Sequence, residues 1–137
     1  MVCQWKWRCY HCKVSAFIDD MAGAYCWADL VVCRAGALTV SEIAVVGIAS
    51  IFIPYPHAVD NHQLHNSRYL EQVGAAIILV QAALTPESLI ELFQQLSQDR
   101  ARLLRMAESA RSLAQPKAAD HVVAKCCQLM AMLEVVP

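Results

Sequence analysis

The stretch Arg34-Ala-Gly-Ala-Leu-Thr-Val-Ser-Glu42 carries the densest chemistry of the chain. It joins an apolar run to a helix start. Free backbone N–H groups at a helix start favour a phosphate, and Gly36 lets a ligand approach the backbone closely. Glu42, within about the first turn of that helix, is placed to accept two hydroxyls of a ribose, as an acidic residue does in dinucleotide sites. The same residues have a plainer reading. Thr39-Val-Ser-Glu42 matches a capping box, in which Glu42 bonds back to Thr39 and touches no ligand. A second polar cluster is the loop Pro54-Tyr-Pro-His-Ala-Val-Asp-Asn-His-Gln63. Its groups suit hydrogen bonds to a sugar; the alternative is an exposed loop, polar for lack of core contacts. His57, Asp60 and His62 have the spacing of no closed metal site.

Seven cysteines raise the question of metal or disulfides. Cys9-Tyr-His-Cys12 has the C-x-x-C spacing of a zinc or redox half-site. Cys26, Cys33 and the adjacent Cys126 and Cys127 supply no second pair to match it. The expectation is free thiols in a reducing cytoplasm, with no metal and no cofactor. Arg100, Arg102, Arg105 and Arg111, with Asp99 and Glu108 among them, read as a solvated helical face with local ion pairs; a phosphate-binding cluster is the alternative. His121, Met130 and Met132 read as ordinary helix surface and core.

Apolar runs at 14–17, 29–33, 50–54 and 76–80 predict four strands. Helices are expected at 19–27, 40–46, 64–73, 86–97, 99–114 and 118–134. Asp19 and Asp20 suit the first turn of the first helix, where the dipole favours negative charge. Gly47 and Gly74 close the next two, and Thr85-Pro-Glu opens the fourth with Thr as cap and Pro in the first turn. Strands alternating with helices imply βαβ units and a parallel sheet. The predicted fold class is α/β: part of a doubly wound, Rossmann-like parallel sheet with flanking helices and a helical C-terminal tail. Ligands of an open α/β sheet bind beyond the carboxyl ends of its strands, which selects 17–20, 33–42 and 54–63.

Composition narrows the class. With 58% hydrophobic and 17% charged residues the chain is no disordered or highly charged tail. A net charge of −1 gives no basic field for nucleic acid. No apolar run reaches the roughly 18–20 residues of a membrane span, and the N-terminus lacks the apolar core of a signal peptide. Residues 1–13 crowd Trp5, Trp7, Arg8, Cys9, Tyr10, His11 and Cys12 with no period, and read as an unmatched segment, a junction foreign to the rest of the chain.

Three segments in order carry a family resemblance: Phe17-Ile-Asp-Asp-Met-Ala, then Ala28 to Glu42, then Pro54 to Gln63 with Asn66 beyond. Over about residues 14–134 they resemble the MurG-type glycosyltransferases of family 28, which add N-acetylglucosamine to the lipid-linked muramyl-pentapeptide precursor of peptidoglycan. The resemblance implies the C-terminal, donor-binding domain of a two-domain GT-B fold, with 14–137 covering the later part of that domain. It implies that the backbone of Ile18 contacts the uracil and that Glu42 holds the ribose hydroxyls. It places Gly36, Ala37, Leu38 and Thr39 beside the diphosphate and sugar, with Arg34 in the same strand-end turn. His62 and Gln63 match a pair that contacts the N-acetylglucosamine; some family members carry Gln-Gln there. The implied ligands are UDP-N-acetylglucosamine and, through an N-terminal domain, the lipid-linked acceptor. The full-length family works as a peripheral protein on the cytoplasmic face of the bacterial inner membrane. The acceptor domain, with its glycine-rich loop and histidine base, matches nothing in these residues. The chain alone is therefore expected to bind donor and to be inactive, with no catalytic residue of its own. The alternative is a non-catalytic remnant or partner-binding module.

Overall fold

Residues 48–53 form the most apolar stretch near the centre of the chain, and they become the centre of the sheet. The structure is a computed structural model, and it describes residues 13–133. Six helices and three strands follow in the order α1 (Met21–Trp27), β1 (Leu30–Cys33), α2 (Ala37–Val46), β2 (Ala49–Phe52), α3 (His62–Glu71), β3 (Ala76–Ile78), α4 (Pro86–Gln98), α5 (Arg100–Ser112) and α6 (Ala118–Leu133). Short 3-10 turns occupy Val59–Asn61 and Gln81–Ala83. The strands are parallel in the order β1-β2-β3, with Val32 opposite Ile51 and Ile51 opposite Ile77. The α/β class and the parallel sheet are as the alternating pattern predicts.

All four residues of β2 are buried, because helices cover both faces of the sheet. Phe52 joins Tyr25, Ile43 and Leu70 on the side of α1, α2 and α3. Ala49 and Ile51 join Leu96 and Met106 on the side of α4 and α5. The side chains of β1 divide in the same way: Val31 and Cys33 face the first cluster, Leu30 and Val32 the second. This alternation follows from the two-residue period of a strand.

Five expectations need correction. No strand forms at 14–17, so the sheet has three strands among the described residues. Val14 is 89% exposed and Phe17 76%; a short apolar run becomes a strand only where a ladder partner and a buried face receive it. The capping box at Thr39 does not form either. Helix α2 starts three residues earlier, with Gly36 as N-cap in an extended conformation (φ −65°, ψ 148°) and no side-chain cap. The Gly36 carbonyl accepts from the Val40 N–H at 2.9 Å. Ala37 and Leu38 are strong helix formers and extend the helix back past Thr39. The third correction concerns the arginine face. Asp99 caps α5 by accepting from the Arg102 N–H at 2.8 Å, and Arg100 pairs at 3.2 Å with the distant Asp29, in place of the expected local ion pairs. The fourth concerns α6: its residues 118–132 are all exposed, Met130 and Met132 included, so neither methionine is core.

Helix α1 starts two residues later than expected, so neither Asp19 nor Asp20 lies in its first turn; Asp20 is instead the N-cap, accepting from the Gly23 N–H at 2.8 Å. Other local signals hold. Gly47 ends α2 in the left-handed region at φ 72°, a conformation that costs glycine little. Thr85 and Ser88 cap α4 reciprocally, with Pro86 in the first turn.

Candidate functional site

The carboxyl ends of β1 and β2 lead into the starts of α2 and α3, and most of the predicted site residues gather there. Neither helix start has a side-chain cap. The first N–H groups of a helix have no partner within it, so the uncapped start of α2 holds a set of donors and a positive partial charge. Gly36, Ala37, Leu38 and Thr39 form the start of α2, and His62 and Gln63 that of α3. The chain reaches α3 through two consecutive left-handed residues, Asp60 and Asn61, each at φ 52°. Aspartate and asparagine tolerate that region better than other side-chain-bearing residues.

Polar bonds tie the two turns together. Arg34 donates from Nη1 to the carbonyls of Ile53, at 2.9 Å, and Pro54, at 3.2 Å. Its guanidinium lies 5.7 Å from the centre of the Tyr55 ring, within cation–π range. The Tyr55 N–H donates to Gln63 Oε1 at 2.9 Å, and Asn66 Nδ2 donates to the Ala35 carbonyl at 3.0 Å. Arg34 and Gln63 thus brace the site as well as bordering it. Sequence reasoning assigns no such bracing part to Asn66 or Tyr55. Asn66 lies 31 residues from its partner, a separation that local spacing does not reveal.

Glu42 is exposed in the second turn of α2, and its Oε2 accepts from the Tyr25 hydroxyl at 3.1 Å. Both line a cavity of about 350 Å³ between α1 and α2, with Met21, Leu38 and Ser41 on its walls. Burial, then the hydrogen bond and charge of Glu42, push the Tyr25 hydroxyl up to about 12. Burial also raises the Cys33 thiol to about 11. Leu38 and Glu42 are therefore brought to one cavity. Ile18 is exposed in the segment before α1 and does not belong to its walls. Tyr25 escapes a reading of the sequence: α1 reads Met-Ala-Gly-Ala-Tyr-Cys-Trp, and nothing local says that Tyr25 is buried while Trp27 is 87% exposed.

A larger cavity, about 600 Å³, lies at the other end of α2, between Cys26, Gly47, Arg100 and Leu104. It sits at the amino ends of the strands, away from both helix starts, and the ligand rule for open α/β sheets selects the carboxyl end instead. Among the described residues no three His, Cys, Asp or Glu side chains converge as a metal site. Cys9 and Cys12 lie outside the described residues. No described helix is long and apolar enough to cross a membrane.

Comparison with known proteins gives a consistent result. The profile of the glycosyltransferase family 28 C-terminal domain matches residues 2–122. The UDP-N-acetylglucosamine--N-acetylmuramyl-(pentapeptide) pyrophosphoryl-undecaprenol N-acetylglucosamine transferase of Coxiella burnetii is 68% identical over 114 residues, 83% of this chain and 32% of the relative. The enzyme of the same name from Marinobacter nauticus is 54% identical over 116 residues. The crystal structure of Acinetobacter baumannii MurG superposes with a TM-score of 0.77 at 52% identity, covering 82% of this chain and 32% of that one. The chain thus spans about a third of the length of the relatives it matches.

Proposed function

The chain belongs to the glycosyltransferase family 28 C-terminal domains, and from that premise we propose that residues 14–137 are part of the donor-binding domain of an N-acetylglucosamine transferase. The donor is UDP-N-acetylglucosamine, and the acceptor is the lipid-linked muramyl-pentapeptide, held by parts of the enzyme outside these residues. The names of the relatives support the reaction. The single observation that carries the site is the uncapped start of α2, with the Glu42 carboxylate on the next turn beside a cavity.

In this reading the α2 start, residues 36–39, meets the diphosphate. Its positive end stabilises the charge that develops on the leaving UDP as the sugar departs, where oriented dipoles act most strongly. Glu42 accepts the two ribose hydroxyls, and the backbone of Ile18 meets the uracil. His62 and Gln63, at the α3 start, contact the N-acetylglucosamine, and Arg34 holds the turn between the two helix starts. No catalytic residue is assigned within the chain, and transfer with inversion takes its base from elsewhere in the enzyme. A nucleotide sugar and a lipid-linked acceptor meet at a membrane surface, so the whole enzyme works peripherally, on the cytoplasmic face.

Glu42→Ala tests the assignment, in a chimera carrying residues 14–137 within a full-length relative. The dissociation constant for UDP is expected to rise by at least about tenfold, equivalent to about 1.4 kcal/mol. The melting temperature should fall little, because Glu42 caps nothing and the Tyr25 hydroxyl that it accepts from opens onto the cavity. Unchanged UDP affinity in a folded Glu42→Ala protein removes the ribose role.

A further inference from the structure

Helix α1 gives the core one buried large side chain, Tyr25, at 8% exposure. Its ring packs in the same cluster as Ile43 and Phe52. Its hydroxyl emerges from that cluster at the wall of the α1–α2 cavity and donates to Glu42 Oε2 at 3.1 Å. The two residues are 17 apart in sequence and belong to different helices, so the contact depends on the packing of α1 against α2.

We propose that Tyr25 is a positioning residue for nucleoside recognition: it fixes the Glu42 carboxylate so that both oxygens present to the vicinal hydroxyls of a ribose. The inference rests on the reading of Glu42 given above. An exposed glutamate turns freely about its terminal torsion, which is broad and two-fold. Freezing such a side chain during binding lowers affinity, because the freedom is lost only then. Tyr25 removes that freedom beforehand. An ionised carboxylate offers roughly four acceptor sites on its two oxygens. Tyr25 occupies one on Oε2. Oε1 and the remaining site on Oε2 are then left for two hydroxyl donors, the number a cis-diol brings. The donor also persists across the working range, since burial and Glu42 hold the Tyr25 hydroxyl protonated up to about pH 12. The competing account is a buried tyrosine that merely finds a partner for its hydroxyl, as buried tyrosines usually do. The two accounts diverge on the ligand.

The test is a comparison of UDP with 2′,3′-dideoxy-UDP binding to the full chain, by calorimetry, for wild type, Tyr25→Phe, Glu42→Ala and the double variant. Phenylalanine keeps the ring in the core, and circular dichroism checks that each variant is folded. Tyr25→Phe is expected to weaken UDP about three- to tenfold, the range of one hydrogen bond, while dideoxy-UDP binds as before. Adding Tyr25→Phe to Glu42→Ala should change nothing further. If Glu42→Ala lowers the preference for UDP and Tyr25→Phe does not, the positioning role is wrong while the ribose role stands. An equal loss for both ligands in Tyr25→Phe makes the tyrosine merely structural and also overturns the proposal. If the wild-type chain shows no preference for UDP over the dideoxy compound, the ribose role of Glu42 fails and the proposal falls with it. As a second variant, Tyr25→Leu removes ring and hydroxyl together; a loss of ribose preference no larger than a loss of dideoxy-UDP affinity counts against positioning.

Discussion

Helices α2 and α6 are both rich in apolar residues, and only α2 is buried. Val40, Ile43 and Ala44 of α2 are 6%, 0% and 3% exposed, and the helix packs against α1, α3 and α5. On α6, Val122 and Met130 are each 63% exposed, and the helix follows Pro116 beyond the layered part of the fold. Apolar composition states a demand for burial and does not say what meets it. For α2 the demand is met within the described residues, because β1 and β2 on either side of it in sequence supply a sheet face. A crossover helix of a parallel sheet has no other place to lie. Helix α6 is no such crossover: among the described residues no strand pairs beyond it to draw it onto the sheet.

Three experiments bear on this contrast. The largest effect should come from Ile43→Ala, which removes a fully buried side chain and is expected to destabilise the chain by about 2–5 kcal/mol in urea unfolding. Val122→Ala should fall within about 0.5 kcal/mol. Equal losses erase the distinction. Next come the thiols. Cys33 lies half-buried in β1, whereas Cys126 and Cys127 are exposed on α6. Burial lifts the Cys33 thiol from 9.0 to about 11, so its thiolate is about a hundredfold scarcer at neutral pH. Alkylation at pH 8 followed by peptide mapping should find the exposed Cys126 and Cys127 modified well before the half-buried Cys33. Similar rates break the comparison. The sign for stability comes from the same shift: a raised pKa contributes stability fully present below pH 9.0 and lost as pH rises through about 11. Tyr25 acts in the same direction, up to about 12. The smallest effect concerns Gly47, which ends α2. A Cβ there would lie 3.0 Å from the Arg111 Cβ at a left-handed φ. Gly47→Ala should therefore cost about 1–2 kcal/mol. Gly74→Ala, at a similar φ with open space around it, should cost less by the same thermal melt. A larger loss at Gly74 would show that crowding against α5 does not matter.

Features set by neighbours in sequence were legible. Gly47 caps α2 and Gly74 closes the turn that follows α3, each at a φ that side chains resist. Thr85-Pro86 opens α4 through its own side chain and ring. The gathering of residues 34–42 and 54–63 at one end of the sheet followed from strand direction alone. Features that depend on distant partners were not legible. Residues 14–17 have the composition of a strand, yet strand formation needs a ladder. Thr39-Val-Ser-Glu42 has the spacing of a cap, yet Gly36 offered an earlier start and the helix took it. The bond from Tyr25 to Glu42 and that from Asn66 to Ala35 join residues 17 and 31 apart, and no local rule reports such pairs. The exposure of Met130 and Met132 was hidden for the same reason: a periodic apolar face looks alike whether or not something covers it.

The bonds of Arg34 have a consequence for motion. One guanidinium nitrogen holds the carbonyls of Ile53 and Pro54, Gln63 holds the Tyr55 N–H, and Asn66 holds the carbonyl next to Arg34. These contacts close a circuit from the end of β1 to the end of β2, along the first turns of α3 and back. Surface loops ordinarily wander independently on nanosecond to microsecond timescales. Here a displacement of either turn drags the other with it, so the two helix starts keep their spacing and travel as a single body. Any motion of these turns relative to the rest of the sheet must then hinge outside the circuit, with the paired turns moving as one piece.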